Sequence, residues 1–259
     1  MQNRISGNFI VLLFVFTISL PSAVKNAEAV EFGVEADYWL TKLTGTVKSD
    51  LGSVLGDKID LKDDLGMEDE NIAGGKLYLQ GGKHRLTVLY APLKYKGSTT
   101  QATTVVFNGQ TFDANVNIDS ELELTELDVR YTYWLLNMKT GARIGLVGAV
   151  KNISAKASLT GKVSGVSTSE SESLSVPIPM VGLDLQLGLG DLVRVTATGV
   201  GVSYSGNSMF DVTAALEVSP VPLFGIAAGF RGVYLNVDTN DTEVKVDTTG
   251  LFVGVFAHF

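Results

Sequence analysis

The chain has 259 residues, a formal net charge of −8, 45 % hydrophobic residues, 28 glycines and no cysteine. Its acidic balance argues against nucleic acid as a partner. Without cysteine there is no disulfide framework, thiolate metal site, cysteine nucleophile or lipidated cysteine. The glycines and scarce prolines suit a strand-rich chain with tight turns.

At the N-terminus, Arg4 precedes an apolar run from Phe9 to Leu20, interrupted only by Thr17 and Ser19. Pro21 and then Ala27-Glu28-Ala29 follow, a small-x-small cleavage pattern. Twelve helical residues reach about 18 Å, short of a hydrocarbon core of about 30 Å. The expectation is a secretory signal peptide over 1–29, cleaved after Ala29, leaving one domain over 30–259. No later apolar run escapes interruption by glycine or charge, so membrane helices are not expected.

Period-two alternation then recurs along the chain, and it predicts ten strands. The first, near 31–43, sets Phe32, Val34, Ala36, Tyr38 and Leu40 against Gly33, Glu35, Asp37 and Trp39. The second is near 74–80 and the third starts at His84, with Leu86, Val88 and Tyr90 on its apolar face. The fourth is the clearest, with Leu127, Val129, Tyr131, Tyr133 and Leu135 opposite Glu126, Asp128, Arg130, Thr132 and Trp134. The fifth to seventh lie near 142–154, 180–189 and 192–204. The eighth sets Phe210, Val212, Ala214, Leu216 and Val218 against Asp211, Thr213 and Glu217. The ninth sets Phe224, Ile226, Ala228 and Phe230 against Gly225, Ala227, Gly229 and Arg231. The tenth places Leu251, Val253, Val255, Ala257 and Phe259 on one face.

Tight turns at 81–83, 137–141, 188–191 and 219–222 alternate with longer segments at 44–71, 97–120, 155–178, 204–208 and 237–244. Strands of about ten residues, short turns at one end and longer loops at the other, fit a tilted membrane crossing. Two aromatic girdles are expected, one from Phe32, Tyr133, Phe224 and Phe259, the other from Tyr38, Tyr90, Phe210 and Tyr234. A soluble β-sandwich also alternates, but it explains neither the terminal phenylalanine nor the long-short loop pattern.

The signal segment, inner turns, lumen charges and final phenylalanine together resemble the small Gram-negative outer-membrane β-barrel superfamily of OmpA, OmpX and OmpW types. The last strand is similar to the C-terminal assembly signal of such barrels, which places Phe259, Ala257, Val255, Val253 and Leu251 in that role. The resemblance implies a closed antiparallel transmembrane barrel of about ten strands, with eight and twelve as alternatives. It also implies an outer-membrane location. The implied partners are outer-membrane lipid and lipopolysaccharide, the barrel-assembly machinery and periplasmic chaperones. No cofactor is implied.

Residues opposite the apolar face should line the lumen. The acids are Glu35, Asp37, Glu126, Asp128, Asp184, Asp211 and Glu217. The bases are Lys76, Arg85, Arg130, Arg143, Lys151, Arg194 and Arg231. Seven of each sign suggest a cross-linked, charge-filled interior, because isolated buried charge is costly. A selective channel would favour one sign. Barrel enzymes resembling this class use a histidine at the outer rim, whereas His84 and His258 fall at the opposite end. A non-enzymatic role is therefore expected, structural or surface-interacting through the long loops; a narrow passive channel is the alternative.

The first long loop carries clustered acids, among them Asp60, Asp63, Asp64 and Glu68. Such oxygens suit a hard cation, although the spacing matches no EF-hand, and a solvated acidic loop is the competing reading. Ile59-Asp60-Leu61 and Leu65-Gly66-Met67 alternate, so this loop is expected to extend a strand or fold over the mouth. Asn108-Gly109 between apolar flanks signals a hairpin. The serine-rich segment 164–175 is expected to be a flexible loop.

Overall fold

The computed structural model describes residues 30–50, 56–100, 105–107, 110–112, 117–138, 141–163, 166–190, 192–238 and 242–259. The expected signal segment, 1–29, lies outside the described residues, as does Asn108-Gly109 itself.

The described chain contains thirteen strands and no helix. They are β1 (Val30–Ser49), β2 (Ile59–Asp60), β3 (Asn71–Gly81), β4 (His84–Thr100), β5 (Val105–Phe107), β6 (Gln110–Phe112) and β7 (Asn117–Asn137). Then follow β8 (Ala142–Val163), β9 (Val166–Leu189), β10 (Val193–Tyr204), β11 (Asn207–Val221), β12 (Phe224–Asp238) and β13 (Thr242–His258). All strand pairs are antiparallel. Ten strands run in chain order around the sheet, and β13 returns to pair with β1 from Gly33↔His258 to Ser49↔Thr242. Reciprocal bonds between the Phe259 and Phe32 backbones, 2.8 and 2.9 Å, fasten the seam. Closure removes the unpaired edges that a membrane could not satisfy.

The four expected tight turns connect β3–β4, β7–β8, β9–β10 and β11–β12, all at one end. Strand number and order therefore match expectation, but strand length does not. The ten barrel strands run from 11 to 24 residues, and the tallest hairpin, β8–β9, pairs through to Val163↔Val166. Residues 166–175 of the serine-rich segment are thus part of a long ribbon rather than a loop. The strands on either side of Asn108-Gly109, β5 and β6, pair as Val105↔Phe112.

A polarity inversion explains why these extensions escaped the alternation test. Along β7 the outward positions Leu127, Val129, Tyr131 and Tyr133 are apolar and exposed. Their inward neighbours Glu126, Asp128, Arg130 and Thr132 are buried and polar. Beyond Thr125 the parity continues but the chemistry swaps. Ile118, Ser120, Leu122 and Leu124 turn inward, while Asp119, Glu121 and Glu123 turn outward. The same swap occurs on β4, where outward Leu86, Val88 and Tyr90 give way to Lys94 and Lys96. On β1, outward Phe32 to Leu40 give way to Lys42 and Thr44. The lower half therefore has an apolar belt outside and polar groups inside, as a bilayer demands. The upper half has an apolar core and a charged outside, as water demands.

Both expected girdles lie on the belt's surface. Phe32, Tyr133, Phe224 and Phe259 are exposed near the turn end, and Tyr38, Tyr90 and Phe210 are exposed near the inversion. Tyr234 is half-buried and sits across from Phe210.

Candidate functional site

The lumen of the lower half is built from alternate residues of neighbouring strands. Ten of the fourteen expected lumen charges meet in three groups. On β1 and β3, the register Glu35↔Lys76 places both side chains inward, and they form an ion pair at 2.5 Å. Near the turn end, Arg194 of β10 reaches Glu217 of β11 at 3.5 Å. Above that lies the dominant feature, in which six charges from four strands meet.

Asp211 sits at the centre of this cluster and is fully buried. Its Oδ2 accepts from Lys151 Nζ at 2.5 Å, Arg130 Nη2 at 2.9 Å and Arg231 Nη2 at 3.0 Å. Glu126 Oε2 accepts from Arg231 at 2.7 Å and Lys151 at 3.0 Å. Asp128 Oδ2 accepts both Nε and Nη2 of Arg130, at 2.9 and 2.7 Å. Three carboxylates thus meet three cations, and the cluster is neutral overall. That balance matters, since a single unpaired ion in such a place costs several kcal/mol. Arg231 also stacks on Trp39, 4.7 Å from the ring centroid, which joins the charged layer to the apolar layer above.

The remaining expected lumen residues are less engaged. Asp37 is half-buried and Asp184 is buried, and among the described residues neither makes an ion pair within 4 Å. Arg85 stacks over Tyr78 at 3.9 Å. Arg143 donates to Asn137 Oδ1 at 3.2 Å and lies 6.0 Å from the Trp134 ring.

The apolar upper core contains a second element that sequence reasoning saw only in outline. Strand β3 is short and its pairing to β1 stops at Leu40↔Asn71, so the upper parts of β1 and β4 have no barrel strand between them. The segment 56–70 fills that notch. Strand β2 pairs with Thr46 and Val47, Leu61 donates its amide to Gly45 and Thr41 donates to Glu70. On the other side, Met67 bridges to Gly97 and Glu68 donates its amide to Lys96 at 3.1 Å. Ile59, Leu61, Leu65 and Met67 point inward and are buried with Leu43, Leu93, Tyr95, Ile118 and Leu122. A Cβ on Gly97 would fall 2.3 Å from the Leu65 carbonyl oxygen, so this close approach requires glycine.

The acids of this segment have local partners. Asp60 Oδ1 accepts the amides of Lys62 and Asp63 at 2.8 and 2.9 Å, while Asp64 Oδ2 accepts the amide of Asp60 at 2.7 Å. These bonds cap one turn over 61–65, which Gly66 ends in the left-handed region at φ 62°. Asp69 Oδ1 accepts from the Leu43 amide at 2.9 Å and from Lys62 at 2.7 Å. Among the described residues no group of three or more acids or histidines has a metal-holding arrangement. Asp60, Asp63, Asp64 and Glu68 are thus brought into one loop, with Asp60 and Asp64 serving as turn caps.

Both histidines lie at the turn end, away from the long hairpins. His84 Nδ1 is 2.5 Å from the Tyr131 hydroxyl, and His258 stacks on Phe256. No helix among the described residues is long and apolar enough to cross a membrane, which leaves crossing by strands untouched.

These features define a small ten-stranded closed barrel of the outer-membrane type. No family model matches the sequence, and no curated protein matches it. Solved structures resemble its fold. One is Ail, the attachment invasion locus protein of Yersinia pestis, at 16 % identity over 88 % of this chain and 98 % of that one, TM-score 0.34. Another is Neisserial surface protein A, at 14 % identity, 90 % and 100 % coverage and TM-score 0.30. A third is the Pseudomonas putida toluene transporter TodX, at 7 % identity, 90 % coverage of each chain and TM-score 0.34. Similarities of this size carry nothing about residues or activity.

Proposed function

We propose that this protein is a non-enzymatic integral barrel of a Gram-negative outer membrane, closed to solutes along its lumen and acting through its outer surface. The six-charge cluster around Asp211 is the observation that carries this reading. Each of its cations reaches a carboxylate within 3.0 Å, so the groups are held to one another rather than left free to coordinate passing ions. The segment 56–70 and the apolar core add a second closure above it. A conducting pore needs hydrated walls and weak sites, which neither layer offers.

The apolar belt is the lipid-facing surface in this reading. Lys42, Lys94 and Lys96 stand immediately beyond it, at the depth where lipopolysaccharide carries its phosphates. The terminal strand, with Leu251, Val253, Val255, Ala257 and Phe259, is the segment offered to the assembly machinery and to periplasmic chaperones. The tall ribbons β7–β8 and β8–β9 supply the surface available to outside partners.

A narrow passive channel is the competing function. Five buried polar atoms (Arg85 Nε, Asp128 Oδ1, Trp134 Nε1, Asp211 Oδ1 and Arg231 Nε) have no protein partner, and they favour some hydration of the lower lumen. Single-channel recording in planar bilayers separates the two. The closed reading expects no reproducible unitary conductance from the native chain, and a steady conductance would overturn it.

A further inference from the structure

The turn end of the lumen differs from the cluster above it in how its cations are matched. Strands β4, β8 and β10 all rise from this end, and each has arginine as its second residue: Arg85, Arg143 and Arg194. The nearby carboxylates answer them poorly. Glu31 is engaged by the Tyr78 hydroxyl at 2.5 Å. Glu217 touches Arg194 only at 3.5 Å, and 43 % of the Arg194 side chain stays exposed. Arg143 has a neutral hydrogen-bond partner, Asn137, and shares its cleft with a second cation, Arg194.

Arg143 and Arg194 line one cleft of about 160 Å³. Gln186 lies between them, paired across the sheet with Arg143 on one side and Thr196 on the other. Gly188, Gly190 and Ser219 complete the rim, so backbone and a hydroxyl are accessible to a small ligand. Among the described residues the lining of the cleft carries no carboxylate. Two planar guanidiniums and an amide around a small opening match the donor geometry that a tetrahedral oxyanion accepts. Two neighbouring cations that only Glu217 touches, at 3.5 Å, keep a net positive charge that favours the arrival of an anion.

We propose that this cleft at the periplasmic mouth binds an oxyanion of phosphate chemistry through Arg143, Arg194 and Gln186. Such a group has two sources at this depth, free phosphate in the periplasm and the headgroup of an inner-leaflet phospholipid. Leu189 and Leu192, both exposed beside the opening, provide an apolar path for the acyl chains of the second.

The test is titration calorimetry on the folded full barrel in an uncharged detergent. One arm adds inorganic phosphate and the other adds dihexanoylphosphatidylglycerol. Saturable binding of phosphate identifies the free anion as ligand; binding of the lipid alone identifies the headgroup. In either case affinity should fall at least tenfold in the Arg143→Gln/Arg194→Gln double variant and weaken with added salt. Arg194→Gln alone should fall in the same direction, and its exposed side chain makes it safe for folding. Lys156→Gln, an exposed side chain in the upper half of β8, should leave binding unchanged. Absence of binding in both arms, or equal affinity in the arginine variants, would overturn the proposal.

Discussion

The lower and upper halves of this barrel are continuous in backbone and opposite in chemistry. The same strands run through both, with the same inward and outward parity. Only the surrounding solvent changes. Below Thr125 the outward residues are Leu127, Val129, Tyr131 and Tyr133, and the inside is filled by ions. Above it the outward residues are Asp119, Glu121 and Glu123, and the inside is filled by Ile118, Leu122 and the side chains of segment 56–70. One fold thus satisfies two solvents by exchanging what it hides. The boundary between them also fixes where each interior layer sits, ionic below and apolar above.

The strongest way to break the lower half is to unbalance its ions. Asp211→Ala leaves Arg130, Lys151 and Arg231 facing one another, and should cost about 3–5 kcal/mol of stability in urea unfolding from detergent. A loss below about 1 kcal/mol would mean that the cluster is hydrated rather than closed.

The upper half should fail differently, by truncation of its core. Leu61→Ala removes a fully buried side chain from segment 56–70. A cost of about 2–5 kcal/mol to docking of that segment is expected. Amide exchange over 59–69 should accelerate while the belt strands keep their protection; uniform acceleration would contradict the separation of the halves.

A charge placed outward reads the boundary itself. Val129→Arg should cost about 2–4 kcal/mol near mid-membrane. Glu121→Arg, eight residues along the same face, should stay within about 0.5 kcal/mol. Equal costs in folding titrations would remove the inversion.

The smallest effect concerns pH. Burial pushes the Asp69 carboxyl up, but the hydrogen bonds from Lys62 and the Leu43 amide outweigh it and hold the group below the usual carboxylate range. A depressed carboxylate contributes stability above its unfolded pKa of about 3.9 and loses it as pH falls through the folded value. The Leu43 amide signal should therefore hold steady near neutral pH and shift on acidification below that range. Asp69→Asn should flatten the profile, and an unchanged profile would dismiss this latch.

The ten strands were legible because lipid enforces strict alternation on each of them. Their ends were not, because beyond Thr125 or Tyr90 the apolar residues change faces and the pattern reads as a break. Parity nominated fourteen lumen charges but not their partners. Asp211 meets Arg130 from across the barrel, 81 positions away, and curvature rather than sequence spacing decides that contact. In segment 56–70 the acids drew attention as possible ligands. The more telling pattern was Asp60 and Asp64 four residues apart, around a turn that ends at Gly66, with apolar residues interleaved.

The central claim is the inversion at Thr125, and a nitroxide scan of the outward positions of β7 tests it most directly. Labels at 127, 129, 131 and 133 in bilayers should be accessible to oxygen and shielded from a polar nickel relaxant. Labels at 119, 121 and 123 should show the reverse, with the crossover at 125. A profile without that crossover, or one placed beyond either end of this range, would contradict the account.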